Sequence, residues 1–212
     1  MIKCLIFDCD GTLVDSELLC NLGLVLQLKE YGVNLSSIDL MQKYRGGKLA
    51  DILKSIEKEH SIVLKEDFEK NYRIRVDHLF ERALTPCKGV IEFLAQNTLS
   101  VCVASSGPIK KINKALSITG LNSYFTDNIF SSYEINSWKP DPDIFLYAAK
   151  TMGFAPKECL VIEDSEKGIQ AGVAAGMKTV LFDPDDLHSQ PKGVDCINHM
   201  KKLQKIISTC NE

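Results

Sequence analysis

The stretch Cys4-Leu5-Ile6-Phe7-Asp8-Cys9-Asp10-Gly11-Thr12 places two carboxylates directly after a short apolar run near the N-terminus. The apolar run predicts a buried strand, in which side chains two positions apart point the same way. Asp8 and Asp10 therefore face one small volume, where their charges repel unless a cation or a shared proton intervenes. Such a pair at the end of a strand suits an oxygen-ligated metal beside a nucleophilic carboxylate.

Four further apolar runs predict strands, at residues 99–104, 128–130, 159–162 and 179–182. Their apolar character is continuous rather than alternating, which indicates burial on both faces, as in a parallel sheet. Segments with helical patterns lie between these runs. The alternation of strands and helices predicts an α/β fold with a doubly wound, Rossmann-like, mainly parallel sheet.

Residues 16–85 break this alternation, because they contain helical patterns and no convincing strand. The sequence therefore predicts two domains. Residues 1–15 and 86–212 form the α/β catalytic core, and residues 16–85 form a mostly helical cap inserted after the first strand. We expect this cap to lie over the carboxyl ends of the strands.

Composition and charge narrow the range of functions. The chain has 212 residues, 45% of them hydrophobic, and a formal net charge of −3, which favours neither a nucleic acid nor a membrane as a partner. No apolar run has the length of a transmembrane helix, and the N-terminus shows no signal-peptide pattern. The eight cysteines include no C-x-x-C pair, which favours reduced thiols. We expect a cytoplasmic enzyme, monomeric or weakly homo-oligomeric, that acts on a small molecule.

Polar side chains follow the other strands at the point where each strand ends. Ser105-Ser106-Gly107 follows the second strand, Lys139 lies after the third, and Glu163-Asp164-Ser165 follows the fourth. Open α/β sheets bind ligands at the carboxyl ends of their strands, and these groups with Asp8 and Asp10 form a set that holds Mg²⁺ and a phosphoryl group. Taken alone, the serines could cap a helix, the acidic pair could favour a helix dipole, and the lysine could be a solvated loop residue.

Taken together, these residues resemble the motifs of the haloacid dehalogenase superfamily. The stretch from Asp8 to Ser16 is similar to the first motif of that family, Ser105 to the second, Lys139-Pro140 to the third, and Glu163-Asp164-Ser165 with Gly168 to the fourth. The motifs occur in the family order, and the match covers essentially the whole chain. The helical insert resembles the cap of the beta-phosphoglucomutase-like branch.

The resemblance implies a division of labour among the carboxylates. Asp8 is the nucleophile that forms an aspartyl-phosphate, and Asp10 protonates the leaving alcohol and later activates water. Mg²⁺ is held by the Asp8 carboxylate, the Asp10 backbone carbonyl and Asp164, with Glu163 in support. Asp8 must be ionised to attack, which Mg²⁺ and Lys139 favour. Asp10 must hold a proton near neutral pH, so we expect its pKa to be raised.

The resemblance also implies residues that contact the substrate. Ser105, the Ser106 N–H and Lys139 stabilise charge on the transferring phosphoryl oxygens. Arg45-Gly46-Gly47-Lys48 lies between two helices of the insert. Arg45 and Lys48 could contact an anionic sugar or sugar acid, or this loop could be an exposed turn; both interpretations stay open.

The leading hypothesis is a Mg²⁺-dependent phosphatase acting on a small phosphorylated metabolite. Within the branch, the overall similarity, including the length and the cap, points to phosphatases of 6-phosphogluconate, with other sugar phosphates open. A sugar phosphomutase is the nearest alternative. Mutases of this branch usually carry a histidine where this chain has Cys20, and this departure favours hydrolysis.

Three other activities fit the residues less well. A dehalogenase of this family needs no Mg²⁺ and typically lacks the acid present here as Asp10. A phosphonate hydrolase would need a cap lysine that forms an imine, and no feature supports Lys48 or Lys54 in that role. A phosphoryl-accepting receiver domain of a signalling protein uses similar groups. Its phosphorylated aspartate, however, ends a central strand that is not the first in the chain, and a helical cap is absent.

Overall fold

A computed structural model describes residues 1–186 and 191–211. Within these ranges the chain forms one six-stranded sheet. The strands are β1 (Cys4–Phe7), β2 (Ser100–Ser105), β3 (Ile129–Ser131), β4 (Cys159–Glu163), β5 (Lys178–Phe182) and β6 (Asp195–Ile197). All are parallel, and they lie in the order β3-β2-β1-β4-β5-β6. The predicted α/β fold with a doubly wound parallel sheet is confirmed.

Helices occupy both the insert and the connections between strands. Those before β2 are α1 (Glu17–Leu28), α2 (Ser37–Tyr44), α3 (Leu49–His60), α4 (Phe68–Ala83) and α5 (Val90–Gln96). Those after it are α6 (Ile109–Ile118), α7 (Asn122–Phe125), α8 (Ser132–Ile135), α9 (Asp143–Thr151), α10 (Glu166–Ala174) and α11 (Leu203–Asn211). Among the described helices, none combines the length and the apolar character needed to cross a lipid bilayer.

Strands β1 to β5 lie within one residue of their predicted bounds at each end. Strand β6 was not predicted. It has only three residues, of which Asp195 is half-buried and Cys196 is exposed, so it lacks a continuous apolar run. It forms one edge of the sheet, and β3 forms the other.

Strand β1 lies inside the sheet, and both of its faces are covered. Leu5 and Phe7 face one apolar cluster, and Cys4 and Ile6 face another on the opposite side of the sheet. All four side chains are fully buried, which is why the strand is apolar at every position. Cys4 is one of eight cysteines, all of which are free thiols, as their spacing predicted.

The order of the strands reverses at β1. The chain continues from β1 to β2 and β3 on one side, and then to β4, β5 and β6 on the other. In sheets of this kind, ligands bind in the crevice outside the carboxyl ends of the strands at this reversal. Phe7, the last residue of β1, pairs with Val103 of β2 and Ile162 of β4, so the residues that follow these three strands lie close together.

The regular structure between β1 and α5 is entirely helical in the described chain. Helices α1 and α4 pack closely, because a Cβ atom on Gly23 of α1 would lie 2.7 Å from Val76 Cγ2 of α4. The insert also contacts α6, where Lys114 Nζ lies 3.3 Å from Asp77 Oδ2 and 2.8 Å from Glu81 Oε1 of α4. These contacts hold α4 against the helix that follows β2.

Candidate active site

A cavity of about 980 Å³ lies at the carboxyl ends of β1, β2 and β4. Its other walls include helices α1 and α4, the loop before α3 and the first turn of α6. The predicted site residues that line it are Asp8, Asp10, Ser105, Ser106, Lys139, Glu163 and Asp164. Arg45 and Lys48 are not among the described lining residues, although the two glycines between them are.

Lys139 lies buried between two carboxylates. Its Nζ donates hydrogen bonds to Asp8 Oδ1 at 2.5 Å, to Glu163 Oε1 at 2.6 Å and to the Ala104 carbonyl at 3.1 Å. The residue is only 4% exposed, which excludes a solvated loop lysine. Burial acts to lower the pKa of Lys139, but the negative charges of Asp8 and Glu163 outweigh this effect and raise the pKa above its usual value. The ammonium therefore stays charged and orients both carboxylates.

Asp8, Glu163 and Asp164 form a buried acidic group that fits a divalent cation. One carboxylate oxygen from each lies within 4.8 Å of the other two. Carboxylate oxygens are the ligands that Mg²⁺ prefers. Gly11, at φ +73°, makes room for this arrangement, because a Cβ atom there would overlap the Asp164 carboxylate. Among the described residues this is the only group of three or more metal-ligating side chains close enough to share an ion.

The pKa values of Asp8 and Asp164 are raised in this acidic group, where negative charges are buried close together. Burial raises the pKa of Asp8 well above its usual value; Lys139 opposes this shift, and Glu163 and Asp164 add to it. Burial also raises the pKa of Asp164, although Arg45 Nε donates to its Oδ2 at 2.5 Å. A divalent cation would lower both pKa values, because it favours the ionised carboxylates. The donor set therefore fits Mg²⁺.

Asp10 is held by two donors. Lys111 Nζ donates to both of its carboxylate oxygens, at 2.7 and 2.8 Å, and Ser16 Oγ donates to Oδ1 at 2.5 Å. Burial acts to raise the pKa of Asp10, but Lys111 and Ser16 hold it below its usual value. This direction is opposite to the raised pKa that the sequence led us to expect, because Lys111 was not foreseen as a partner.

Ser105 and Ser106 shape the loop after β2. Ser105 is buried, and its Oγ accepts a hydrogen bond from the Gly107 N–H at 3.1 Å. The Oγ of Ser106 is also buried and has no hydrogen-bond partner among the described residues, so it is a donor available to a ligand. Helix α6 begins after Pro108 with no side-chain cap, so the interpretation of the serines as a helix cap is wrong.

The two cations of the insert loop have protein partners. Arg45 reaches across to Asp164, and Lys48 Nζ lies 3.5 Å from the centroid of the Trp138 ring in the core. Both contacts tie the insert to the residues around the cavity. Substrate binding by Arg45 or Lys48 therefore stays a prediction, since neither side chain is seen to point into the lining.

Lys111 is the site residue that sequence reasoning missed. It belongs to the pair Lys110-Lys111 near the start of a helix, a pattern typical of a solvated helix surface. The packing of α4 on α6 covers part of it, with its Nζ 5.8 Å from the centroid of the Phe80 ring of α4. No local signal in the sequence could have revealed this, because the burial comes from a helix of the insert.

The chain is similar to known protein sequences over most of its length. A family profile described as haloacid dehalogenase-like hydrolase matches residues 2–176. The chain is also 35% identical over 209 residues to a 6-phosphogluconate phosphatase of Escherichia coli K12, which covers 97% of this chain and 94% of that relative.

Comparison with solved structures agrees with the fold. A haloacid dehalogenase-like protein of unknown function from Agrobacterium tumefaciens matches with a TM-score of 0.84 and 30% identity over 100% of both chains. A protein assigned as a beta-phosphoglucomutase from Thermotoga maritima matches with a TM-score of 0.75 and 23% identity over 98% of this chain and 99% of that one. The resemblance drawn from the four motifs is confirmed.

Proposed function

The chain belongs to the haloacid dehalogenase-like hydrolases, and we propose that it is a Mg²⁺-dependent phosphatase that forms an aspartyl-phosphate at Asp8. Its class, a phosphoric monoester hydrolase, follows from the family and from the phosphatase among its relatives. The observation that carries the proposed mechanism is the position of Asp8. Its carboxylate is bonded by Lys139 and lies beside Glu163 and Asp164 at the carboxyl edge of the sheet.

In the first half of the reaction, Asp8 attacks phosphorus through a carboxylate oxygen. Lys139 bonds Oδ1 and so fixes the orientation of that carboxylate. Mg²⁺, held by the Asp8 carboxylate with Glu163, Asp164 and the Asp10 carbonyl, would supply positive charge to the carboxylates and to the phosphoryl oxygens.

The loop after β2 supplies donors to the phosphoryl group. We assign this role to the Ser105 hydroxyl, the Ser106 N–H and the Ser106 hydroxyl, which lacks a partner among the described residues. Donors fixed in place before the reaction stabilise charge on the oxygens without reorganisation. Lys139 adds an ammonium close to this loop, because its Nζ donates to the carbonyl of Ala104, the residue before Ser105.

Asp10 handles the proton in both halves of the reaction. Lys111 keeps it ionised, which suits removal of a proton from the water that hydrolyses the aspartyl-phosphate. Protonation of the leaving alcohol needs Asp10 in its protonated form. A dianionic phosphate bound beside Asp10 would raise its pKa by repulsion, so Asp10 acts as an acid with substrate bound and as a base afterwards.

For the substrate we propose a sugar phosphate or sugar acid phosphate, with 6-phosphogluconate as the first candidate. The similarity to the E. coli enzyme over nearly the whole of both chains supports this choice. A cavity of about 980 Å³ is large enough for a hexose-sized ester. We further propose that residues 16–85 act as a cap over a core of residues 1–15 and 86–212, of which residues 187–190 and 212 lie outside the described structure. Such a cap would exclude large substrates.

A sugar phosphomutase is disfavoured by Cys20. This residue lines the cavity at the position where mutases of the branch usually carry a histidine. Burial raises the pKa of its thiol to about 12, so it stays protonated near neutral pH and cannot replace an imidazole in proton transfer. This supports transfer of the phosphoryl group to water rather than back to the sugar.

The proposal is tested by phosphate release from 6-phosphogluconate, other sugar phosphates and p-nitrophenyl phosphate. We expect turnover by the wild type, loss of it in Asp8→Asn, inhibition by EDTA and recovery with Mg²⁺. Asp15→Asn, which removes an exposed acid from the same segment, is the matched control and should remain active. Hydrolysis that persists in Asp8→Asn, or that ignores chelation, would contradict the proposed mechanism.

A further inference from the structure

The carboxylate of Glu17 lines the cavity and, among the described residues, makes no side-chain hydrogen bond. Glu17 is the first residue of α1 and is half-buried. It directly follows Ser16, whose hydroxyl bonds Asp10. Its own backbone carbonyl accepts a hydrogen bond from Asn21 Nδ2 at 2.8 Å, which anchors the first turn of the helix. The backbone of Glu17 is therefore fixed at the wall of the cavity, next in sequence to the serine that bonds the acid–base residue.

The cations near Glu17 are bonded to other carboxylates. Arg45 donates to Asp164, and Lys111 donates to both oxygens of Asp10. Burial and the repulsion by Asp10 raise the pKa of Glu17 to about 7, with Arg45 and Lys111 opposing. A half-buried carboxylate that makes no side-chain hydrogen bond among the described residues has acceptor sites available to a ligand. This makes Glu17 a candidate for contact with substrate.

We propose that Glu17 determines specificity by accepting hydrogen bonds from hydroxyl groups on the leaving alcohol of the substrate. Above pH 7, where the carboxylate of Glu17 is mostly ionised, it only accepts hydrogen bonds, so its partner there is a donor such as a hydroxyl group. Because Glu17 lies beside Asp10, which serves the leaving oxygen, its partners are the hydroxyls on the carbons nearest the ester.

The negative charge of Glu17 excludes anionic groups of the substrate from this position. A second anionic group of the substrate at this position would be repelled by the ionised carboxylate of Glu17. Any carboxylate of the substrate must therefore lie at the end of the molecule remote from the phosphate. The inference rests on the proposed phosphatase function and narrows it to phosphates of polyols and sugars that carry a hydroxyl next to the phosphate-bearing carbon.

The discrimination expected from such a contact is large. A site that offers an acceptor to a hydroxyl rejects the deoxy analogue, because the bound analogue covers the acceptor, takes it out of water and leaves it unpaired. An apolar wall would discriminate far less between the two. Glu17 is thus expected to make the enzyme prefer phosphates of hydroxylated alcohols over phosphates of simple alkyl alcohols.

The test compares kcat/KM for glycerol 3-phosphate and for n-propyl phosphate, which differ only in their hydroxyl groups. We expect the wild type to prefer glycerol 3-phosphate. In Glu17→Gln and Glu17→Ala the ratio of the two values should fall roughly 10- to 100-fold, as for the loss of a hydrogen bond to a charged acceptor. Turnover of n-propyl phosphate should persist, and Asp15→Asn, the matched charge control, should leave the ratio unchanged.

The outcomes separate this inference from the function on which it rests. If both Glu17 variants keep the wild-type ratio while phosphate is still released, the specificity role is overturned and the phosphatase stands. An equal loss of activity on both esters, at an unchanged melting temperature, also contradicts it. If the wild type releases no phosphate from these esters or from p-nitrophenyl phosphate, the proposed function itself fails.

Discussion

Asp10 is held between the ammonium of Lys111 and the hydroxyl of Ser16, and these two donors set its protonation state. The motif around Asp8 predicted that Asp10 lies in the site, because residues two apart at a strand end point the same way. It did not predict the ammonium that opposes the effect of burial. The direction of a pKa shift depends on partners from other elements, so it could not be read from the motif.

Replacement of Lys111 by methionine should slow hydrolysis of the aspartyl-phosphate. Without the ammonium, the pKa of Asp10 rises and less of it is ionised to act as a base. We expect kcat for p-nitrophenyl phosphate to fall on the order of 100-fold. Its kcat/KM should change little, because p-nitrophenolate leaves without protonation. Steady-state rates measure kcat and kcat/KM. A rapid burst of nitrophenol before the steady state would show that formation of the aspartyl-phosphate is faster than its hydrolysis.

Lys111→Arg is the control, since it keeps the positive charge near Asp10 and should retain more of kcat than the methionine variant. A parallel fall of kcat and kcat/KM in Lys111→Met, with no burst, would show that Lys111 acts before the aspartyl-phosphate forms and would contradict the assigned step.

Glu17 should make stability depend on pH. Its pKa is about 7 in the folded protein, against an ordinary value of 4.5. The folded state therefore binds this proton more tightly, and the stability it contributes is complete below pH 4.5 and lost as the pH rises through 7. For a half-buried group the loss is on the order of 1–3 kcal/mol. Urea unfolding of the wild type and Glu17→Gln in EDTA, between about pH 5 and pH 8, measures it. Identical pH dependence of the two proteins would contradict the raised pKa.

At the scale of the elements, the burial of a strand or helix decides whether the sequence predicts it. Strands β1 to β5 were found because they are covered on both faces and read as continuous apolar runs. Strand β6 was not found, because it has no continuous apolar run. The four-residue helices α7 and α8 were not found either, because a single turn of helix shows no period. The long helices of the insert were visible as helices, but the contact between α4 and α6 that buries Lys111 was not.

Gly168 offers a test of how α10 is fitted to the end of β4. A Cβ atom at this position would overlap the Glu163 carboxylate, which bonds Lys139 and Ser165. In an exposed helix, glycine to alanine stabilises by about 1 kcal/mol. Here we expect Gly168→Ala to destabilise by about 1–3 kcal/mol, as in overpacking, and to lower phosphatase activity by displacing Glu163. Urea unfolding and phosphate release measure the two effects.

Gly172→Ala, one turn further along α10, is the matched control. Its Cβ atom would lie 2.6 Å from Thr179 Oγ1, which is not among the described residues lining the cavity. We expect this variant to lose stability while keeping kcat. A stabilised Gly168→Ala protein with full activity would show that Glu163 is not held as described.

At the scale of the molecule, the site exists only in the folded chain. Asp8 and Lys139 are 131 positions apart in the sequence, and the reversal of strand order at β1 brings them into contact. The chain-wide resemblance anticipated this meeting, because the motifs belong to one family site. It could not anticipate which insert residues reach the core, since those contacts depend on how the helices pack.

Mg²⁺ should stabilise the whole molecule, because its proposed ligands come from the carboxyl ends of both β1 and β4 and from the residues that follow them. Binding to the folded state alone adds about 2.7 kcal/mol at a hundredfold excess over Kd, which raises the melting temperature by several degrees. Differential scanning fluorimetry in EDTA and in Mg²⁺ measures the shift without any substrate. Asp164→Asn should lose the shift and Asp15→Asn should keep it. An equal shift in all three proteins would contradict the assignment of the acidic group.

The central claim is that Asp8 carries the phosphoryl group, and it is tested most directly by trapping that intermediate. Asp10→Asn should still accept a phosphoryl group from p-nitrophenyl phosphate, whose leaving group needs no acid, but should hydrolyse the aspartyl-phosphate slowly. Mass spectrometry of the acid-quenched protein should then find the added mass of one phosphoryl group on Asp8. The Asp8→Asn/Asp10→Asn double variant should carry none. Nitrophenol release without labelled Asp8, or the same label in the double variant, would contradict the account.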